Sequence, residues 1–157
     1  MADFTSIAKK KMGDIERPPL PPAGIYRMQV KEQPKFGEIE SDKGAWSTLD
    51  IQLQAVEGVT VDPKELKAYG DPKNIVMTHR FMIDKEAPDN DAGVQRTEYN
   101  IRRFFEEHLQ CAKPTDSLAE AMNNSVGAQC LAEIIWKPDR TDPELFHANI
   151  RRTSPRE

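Results

Sequence analysis

The sequence predicts a mainly β domain with a helical insertion, and three observations carry that prediction. Five stretches are strand-like, four of them alternating apolar and polar residues with a period of two. One stretch between the third and fourth places its apolar residues three and four apart. Pro, Gly and Asp-Pro pairs separate these stretches.

The first strand follows "RPPLPP". Its alternation from Gly24 to Val30 sets Tyr26, Met28 and Val30 on one face. Proline is excluded from central strands and forces its predecessor to be extended, so the proline run holds the chain straight up to Gly24. The stretch "KEQPKFGEIESDKGA", with breakers Pro34, Gly37 and Gly44, reads as a loop. "WSTLDIQLQAVEG" is the clearest strand, with Leu49, Ile51, Leu53 and Ala55 on one face and Trp46, Thr48, Asp50, Gln52 and Gln54 on the other. Residues 58–73 read as a polar connection with two Asp-Pro turns, and "NIVMTHRFMID" as a third strand whose inward face is ambiguous.

Residues 94–112 carry Tyr99 or Ile101, Phe104, Phe105, His108 and Leu109 at helical spacing, with Lys113-Pro114 as the stop. Thr115 or Asp116 is expected to cap a second short helix with Leu118, Ala121 and Met122 inward. From Gly127 a fourth strand sets Cys130, Ile134 and Trp136 on one face, which assigns Trp136 to the core. A fifth, "ELFHANIRR", follows the turn "PDRTDP". The order β-β-β-α(α)-β-β is that of a five-stranded oligonucleotide/oligosaccharide-binding (OB) barrel with one or two helices between strands 3 and 4. The predicted organisation is an N-terminal arm over residues 1–17, one OB-like domain over 18–152, and a tail over 153–157. Within the arm, Phe4, Ile7, Ala8 and Met12 suggest a short amphipathic helix, although so short a helix is marginal in isolation.

Composition narrows the function classes. A chain of 157 residues suits one domain with a real core. It contains no apolar run of membrane-spanning length and no apolar core of a secretory signal near its start. Cys111 and Cys130 lack metal-site or disulfide-framework spacing, which points to free thiols in a reducing compartment and a cytoplasmic location. Net charge is -4, which disfavours a uniformly basic nucleic-acid binder but permits a local basic face. The acidity is concentrated in residues 34–91, with twelve acids against seven Lys/Arg.

No phosphate-cradling glycine loop, nucleophile elbow or dinucleotide fingerprint is present. His79, His108 and His147 lie on three different elements, and "DNDAG" at 89–93 lacks the continuation of a calcium loop. The reading is therefore a non-enzymatic protein with no cofactor and no metal. On an OB barrel, ligands cross strands 2–3 between the loops joining strands 1–2 and 4–5. Lys35, Phe36 and Lys43 belong to the first loop, Trp46 opens the next strand, and Arg80 lies on the third. Lys137 and Arg140 belong to the second loop, while Arg151 and Arg152 extend the basic set from the last strand. Aromatic rings with nearby cations suit single-stranded nucleic acid, since bases stack on rings for ~1–3 kcal/mol each while Lys and Arg neutralise phosphates. Glu38, Glu40 and Asp42 in the same loop oppose this electrostatically.

"LPPAGIYRMQV", a Lys-containing loop and "STLDIQLQAVEG" together resemble the opening of small phage-encoded single-stranded-DNA-binding proteins. The matching stretches are Leu20-Pro21-Pro22-Ala23-Gly24-Ile25-Tyr26, Val56-Glu57-Gly58, Arg80-Phe81-Met82-Ile83 and Gly127 onward, short motifs spread over residues 18–152. The resemblance implies an OB-type fold and single-stranded DNA as ligand in phage replication or recombination. The partners implied are that DNA, a second copy in a homo-oligomer, and phage replication, recombination or virion proteins, without a membrane. One departure is the ending "NIRRTSPRE", where many such proteins carry an acidic recruiting tail. Two alternatives stay open: a phage structural or accessory protein that assembles through its N-terminal arm, and an exposed polyproline ligand at "RPPLPP".

Overall fold

A computed structural model describes residues 3–156; residues 1 and 2 of the predicted arm and residue 157 of the predicted tail lie outside the described residues. The strands are β1 (Gly24–Val30), β2 (Lys35–Ser41), β3 (Gly44–Val61), β4 (Val76–Asp84), β5 (Gln129–Pro138) and β6 (Phe146–Ser154). The helices are α1 (Phe4–Ala8), α2 (Pro63–Tyr69), α3 (Ala92–Arg103) and α4 (Leu118–Asn124), with a π-helical turn at Phe104–His108 continuing α3.

All strand pairs are antiparallel, in one six-stranded sheet. β3 is its spine. One edge of β3 pairs with β1 over 53–61 and with β2 over 44–50, so β1 and β2 lie end to end along it. The other edge pairs with β4 from Trp46 to Gln54. β5 pairs with the free edge of β1, and β6 with β5. Among the described residues no ladder joins β4 to β6, so the sheet is open and the expected closed barrel is not formed. The π-helical turn lies beside that seam, where His108 Nδ1 meets Thr153 Oγ1 of β6 at 2.8 Å.

The alternation read in the sequence places the core. Tyr26, Met28 and Val30 of β1, Leu49, Ile51, Leu53 and Ala55 of β3, and Cys130, Ala132 and Ile134 of β5 are buried. Phe104, Phe105 and Leu109, with Ala121 and Met122 of α4, bury against them. Full burial of an aliphatic or aromatic side chain contributes ~1.5–3 kcal/mol, so this cluster dominates the fold's stability. Asp91 caps α3 by accepting from Gly93 N (2.9 Å) and Val94 N (3.3 Å).

Several expectations change. Residues 35–41 form an edge strand rather than a loop, turning through Asp42-Lys43 into β3. Its charged residues disguise it, and charge is what an edge strand uses to discourage further pairing. In "DPKELKAY", Asp62 accepts from Lys64 N (2.9 Å) and Pro63 occupies the first turn, so the expected turn is α2. Ser117, not Thr115 or Asp116, caps α4 through Glu120 N (3.1 Å). Tyr99 is exposed, leaving Ile101 as the packed residue of that pair. β6 runs through Ser154, two residues into the predicted tail.

The proline run is docked on the sheet. The buried Tyr26 hydroxyl donates to Pro22 O (2.6 Å), Trp136 Nε1 donates to Pro21 O (2.7 Å), and Arg17 Nη1 donates to Phe146 O (2.6 Å). Trp136 therefore serves as a bracket for the run; at 47% exposure it is not the core residue its alternation suggested. Gly24 turns the chain into β1 at φ +145°, and an added Cβ there would overlap the Thr60 carbonyl oxygen. Residues 3–16 are exposed throughout.

Candidate nucleic-acid interface

The register of β2, β3 and β4 decides which side chains share a surface, because directly paired residues point to the same face. Phe36, Leu49 and Phe81 are paired across the three strands and turn toward the core side. Lys35, Asp50 and Arg80 form one row on the opposite, outer face. Two residues along β3 lie Gly37, Thr48 and Met82, and two further along lie Ile39, Trp46 and Asp84. The outer face thus runs from an apolar end at Ile39, Trp46 and Met82 to a charged row at Lys35, Asp50 and Arg80. It continues to Gln52, whose amide donates to Thr78 Oγ1 at 2.8 Å.

This arrangement separates the two aromatic candidates. Trp46 is half-buried on the outer face, and the missing side chain of Gly44 leaves room beside it, since a Cβ there would come within 3.7 Å of the ring. Phe36 is 65% exposed but stands on the other face, over a small hollow of about 80 Å³ bordered by Phe81, Ile101 and Leu118. A base stacked on Trp46 cannot reach Phe36.

The cations differ as much. Arg80 is held by Asp50 in a two-pronged pair, Nε to Oδ1 at 2.6 Å and Nη2 to Oδ2 at 3.3 Å. The hydrogen bond to Asp50 raises the guanidinium's pKa, and the pair takes two of its five N–H donors. Lys35 and Lys43 form no ion pair among the described residues; Lys35 stands in the Arg80 row and Lys43 in the β2–β3 turn. The Lys35–Asp50–Arg80 row carries one net positive charge. Nearby acids reduce its field, among them Asp84 beside Trp46 and Glu38, which is paired with Lys85 at 2.6 Å.

Lys137, Arg140, Arg151 and Arg152 belong to the β5–β6 hairpin. Its turn lies past the Gly24 end of the β1–β2 edge, while the Asp42-Lys43 turn lies past the other end. The structure therefore does not bring Lys137 and Arg140 together with Trp46. Arg151 and Arg152 share one partner, Glu133 Oε1, at 3.5 and 3.6 Å, and their charge is partly neutralised. At that turn Asp139 accepts from His147 Nε2 (2.8 Å), Thr141 and Asp142 N, which hold its carboxyl well below the usual range. Arg17 Nη2 meets the other ring nitrogen of His147 at 3.2 Å. This cluster clamps the turn to the start of the proline run. No group of three or more His, Cys, Asp or Glu is placed to hold a metal among the described residues, and no described helix is long and apolar enough to cross a membrane.

No protein-family model matches the chain, and no curated protein matches it. The sequence reading missed Ile39, Met82, Gln52 and Thr78 on the outer face. The first two became visible only with the register of β2 and β4. Gln52 is marked in the sequence itself, because the alternation of "WSTLDIQLQ" sets it on Trp46's face.

Proposed function

We propose that the chain binds single-stranded DNA without catalysis, across the outer face of β2, β3 and β4, in the setting of phage replication or recombination. The observation that carries this reading is the half-buried Trp46, flanked by Ile39 and Met82, two register rows from the Lys35–Asp50–Arg80 row. A ring for stacking on the same face as cations for phosphate is the minimum that sequence-tolerant strand binding requires. The strand pairing adds support. Counting β1 and β2 as one bent strand, the pairs β1–β3, β3–β4, β1–β5 and β5–β6 follow the order of an OB barrel whose seam between β4 and β6 is unpaired. Strands 2 and 3 of that scheme are β3 and β4, whose outer face is the face such barrels use.

Few cations are available, so binding is weak and modestly salt-dependent. With two or three phosphates neutralised, log K falls with log salt at a slope of about -1.4 to -2, from ~0.7 per phosphate on single strands. The test is anisotropy of a labelled oligo-dT with Trp46→Ala and Phe36→Ala. Trp46→Ala weakens binding by ~1–3 kcal/mol, the value of one base–ring stack, and Phe36→Ala leaves it unchanged. Equal losses in both variants, or none in Trp46→Ala, refute the assignment of the face.

A further inference from the structure

We infer that the N-terminal arm of one copy docks in the groove between α3 and α4 of a second copy. The arm and the groove are unpartnered surfaces of complementary character. Residues 4–12 expose Phe4 at 85% and Met12 at 79%, and Phe4 and Ile7, three apart on α1, share one face. The same nine residues include Lys9, Lys10 and Lys11 and no acid. The groove, about 430 Å³, has an apolar floor of Ile101, Phe105, Leu118 and Ala121. Its rim carries Glu98, Glu106 and Asp116 against Arg102 and Lys113, leaving it net negative, and Arg102 is already paired with Glu106 at 2.9 Å.

The arm does not cover its own groove. Residues 3–16 are exposed throughout: Phe4, Ile7 and Met12 stand free while Leu118 at the groove also remains exposed. Arg17, held at Phe146, tethers the arm at the start of β6, the opposite end of that strand from Thr153, where His108 joins the helical layer. Two copies exchanging arms cover both surfaces in a closed two-fold pair.

Light scattering of the full chain is the first measurement, alongside a chain lacking residues 3–16 and the triple variant Lys9→Glu, Lys10→Glu, Lys11→Glu. The expected result is a dimer for the full chain, and folded monomers for both variants. The second mixes two chains in a Cys111→Ser background, one with Ile7→Cys and the other with Leu118→Cys, under mild oxidation. A disulfide-linked heterodimer is expected. A full chain that stays monomeric to its solubility limit overturns the inference, as does a dimer unaffected by removal of the arm. So does a truncated chain whose oligomeric state is unchanged while its oligo-dT affinity falls, which would assign the lysines to DNA.

Discussion

Replacing His79 by Leu should flatten the acid dependence of stability, and the structure gives the size of the effect. His79 turns inward from β4, with its ring 4.8 Å from that of Phe81 and 5.0 Å from that of Phe104. Burial, and then the neighbouring His108, lower its pKa from 6.5 to about 4. The folded protein thus keeps His79 neutral over a range where the unfolded chain takes up a proton. Below pH 6.5 the unfolded state binds more protons, so stability from this group is complete above that pH and is lost as pH falls toward 4. At 1.36 kcal/mol per pH unit the full loss is ~3 kcal/mol, of which ~2 kcal/mol falls between pH 7.5 and 5. Burial also lowers the pKa of His108, which acts in the same direction and is retained in both proteins. Urea titrations of wild type and His79→Leu at both pH values isolate the difference. The wild type should lose ~2 kcal/mol more than the variant over that interval. Parallel losses would show that His79 is not held neutral by its surroundings.

Three further outcomes follow from individual contacts. Asp50→Asn removes the charge opposing Arg80 and should steepen the oligo-dT salt slope by ~0.7, one more phosphate neutralised; an unchanged slope would mean that Arg80 makes no phosphate contact. Tyr26→Phe leaves the Pro22 carbonyl without its 2.6 Å donor and should cost ~1–3 kcal/mol in urea unfolding, whereas a negligible change would show the proline run to be loosely attached. Gly24→Ala forces a Cβ into the Thr60 carbonyl at positive φ and should cost at least ~2 kcal/mol, with wild-type stability as the contrary result.

The parts of the fold legible in the sequence are those where one face is buried and the other is not. Tyr26, Met28 and Val30, and Leu49 to Ala55, announce themselves because alternation is the direct imprint of a half-buried strand. β2 was illegible because it is an edge: Phe36 is exposed and Glu38 and Glu40 intervene, so its pattern matches that of a loop. The Asp62-Pro63 pair was ambiguous for a different reason. The same two residues open a turn or start a helix, and only the apolar spacing of Leu66 and Tyr69 beyond them separates the cases. Trp136 continued the alternation of β5 past the end of the core, and its true partner, Pro21, is 115 residues away.

The candidate interface was legible as residue types but not as a surface. Lys35, Arg80 and Trp46 share the outer face, yet Phe36 is turned to the other side by a single register step. Arg80 read as an available cation because its carboxylate, Asp50, lies 30 residues away in sequence. Lys137 and Arg140 share with Trp46 only a place in the loop scheme of the expected barrel, and the long β1–β2 edge sets them apart.

Titrating labelled oligo-dT with the folded chain at rising salt, following Trp fluorescence in parallel, tests the central claim most directly. The expected result is saturable binding at low salt, fluorescence quenching that disappears in Trp46→Ala, and a log–log slope of about -1.4 to -2. Absence of binding at low salt by a protein that retains its folded circular dichroism would contradict it.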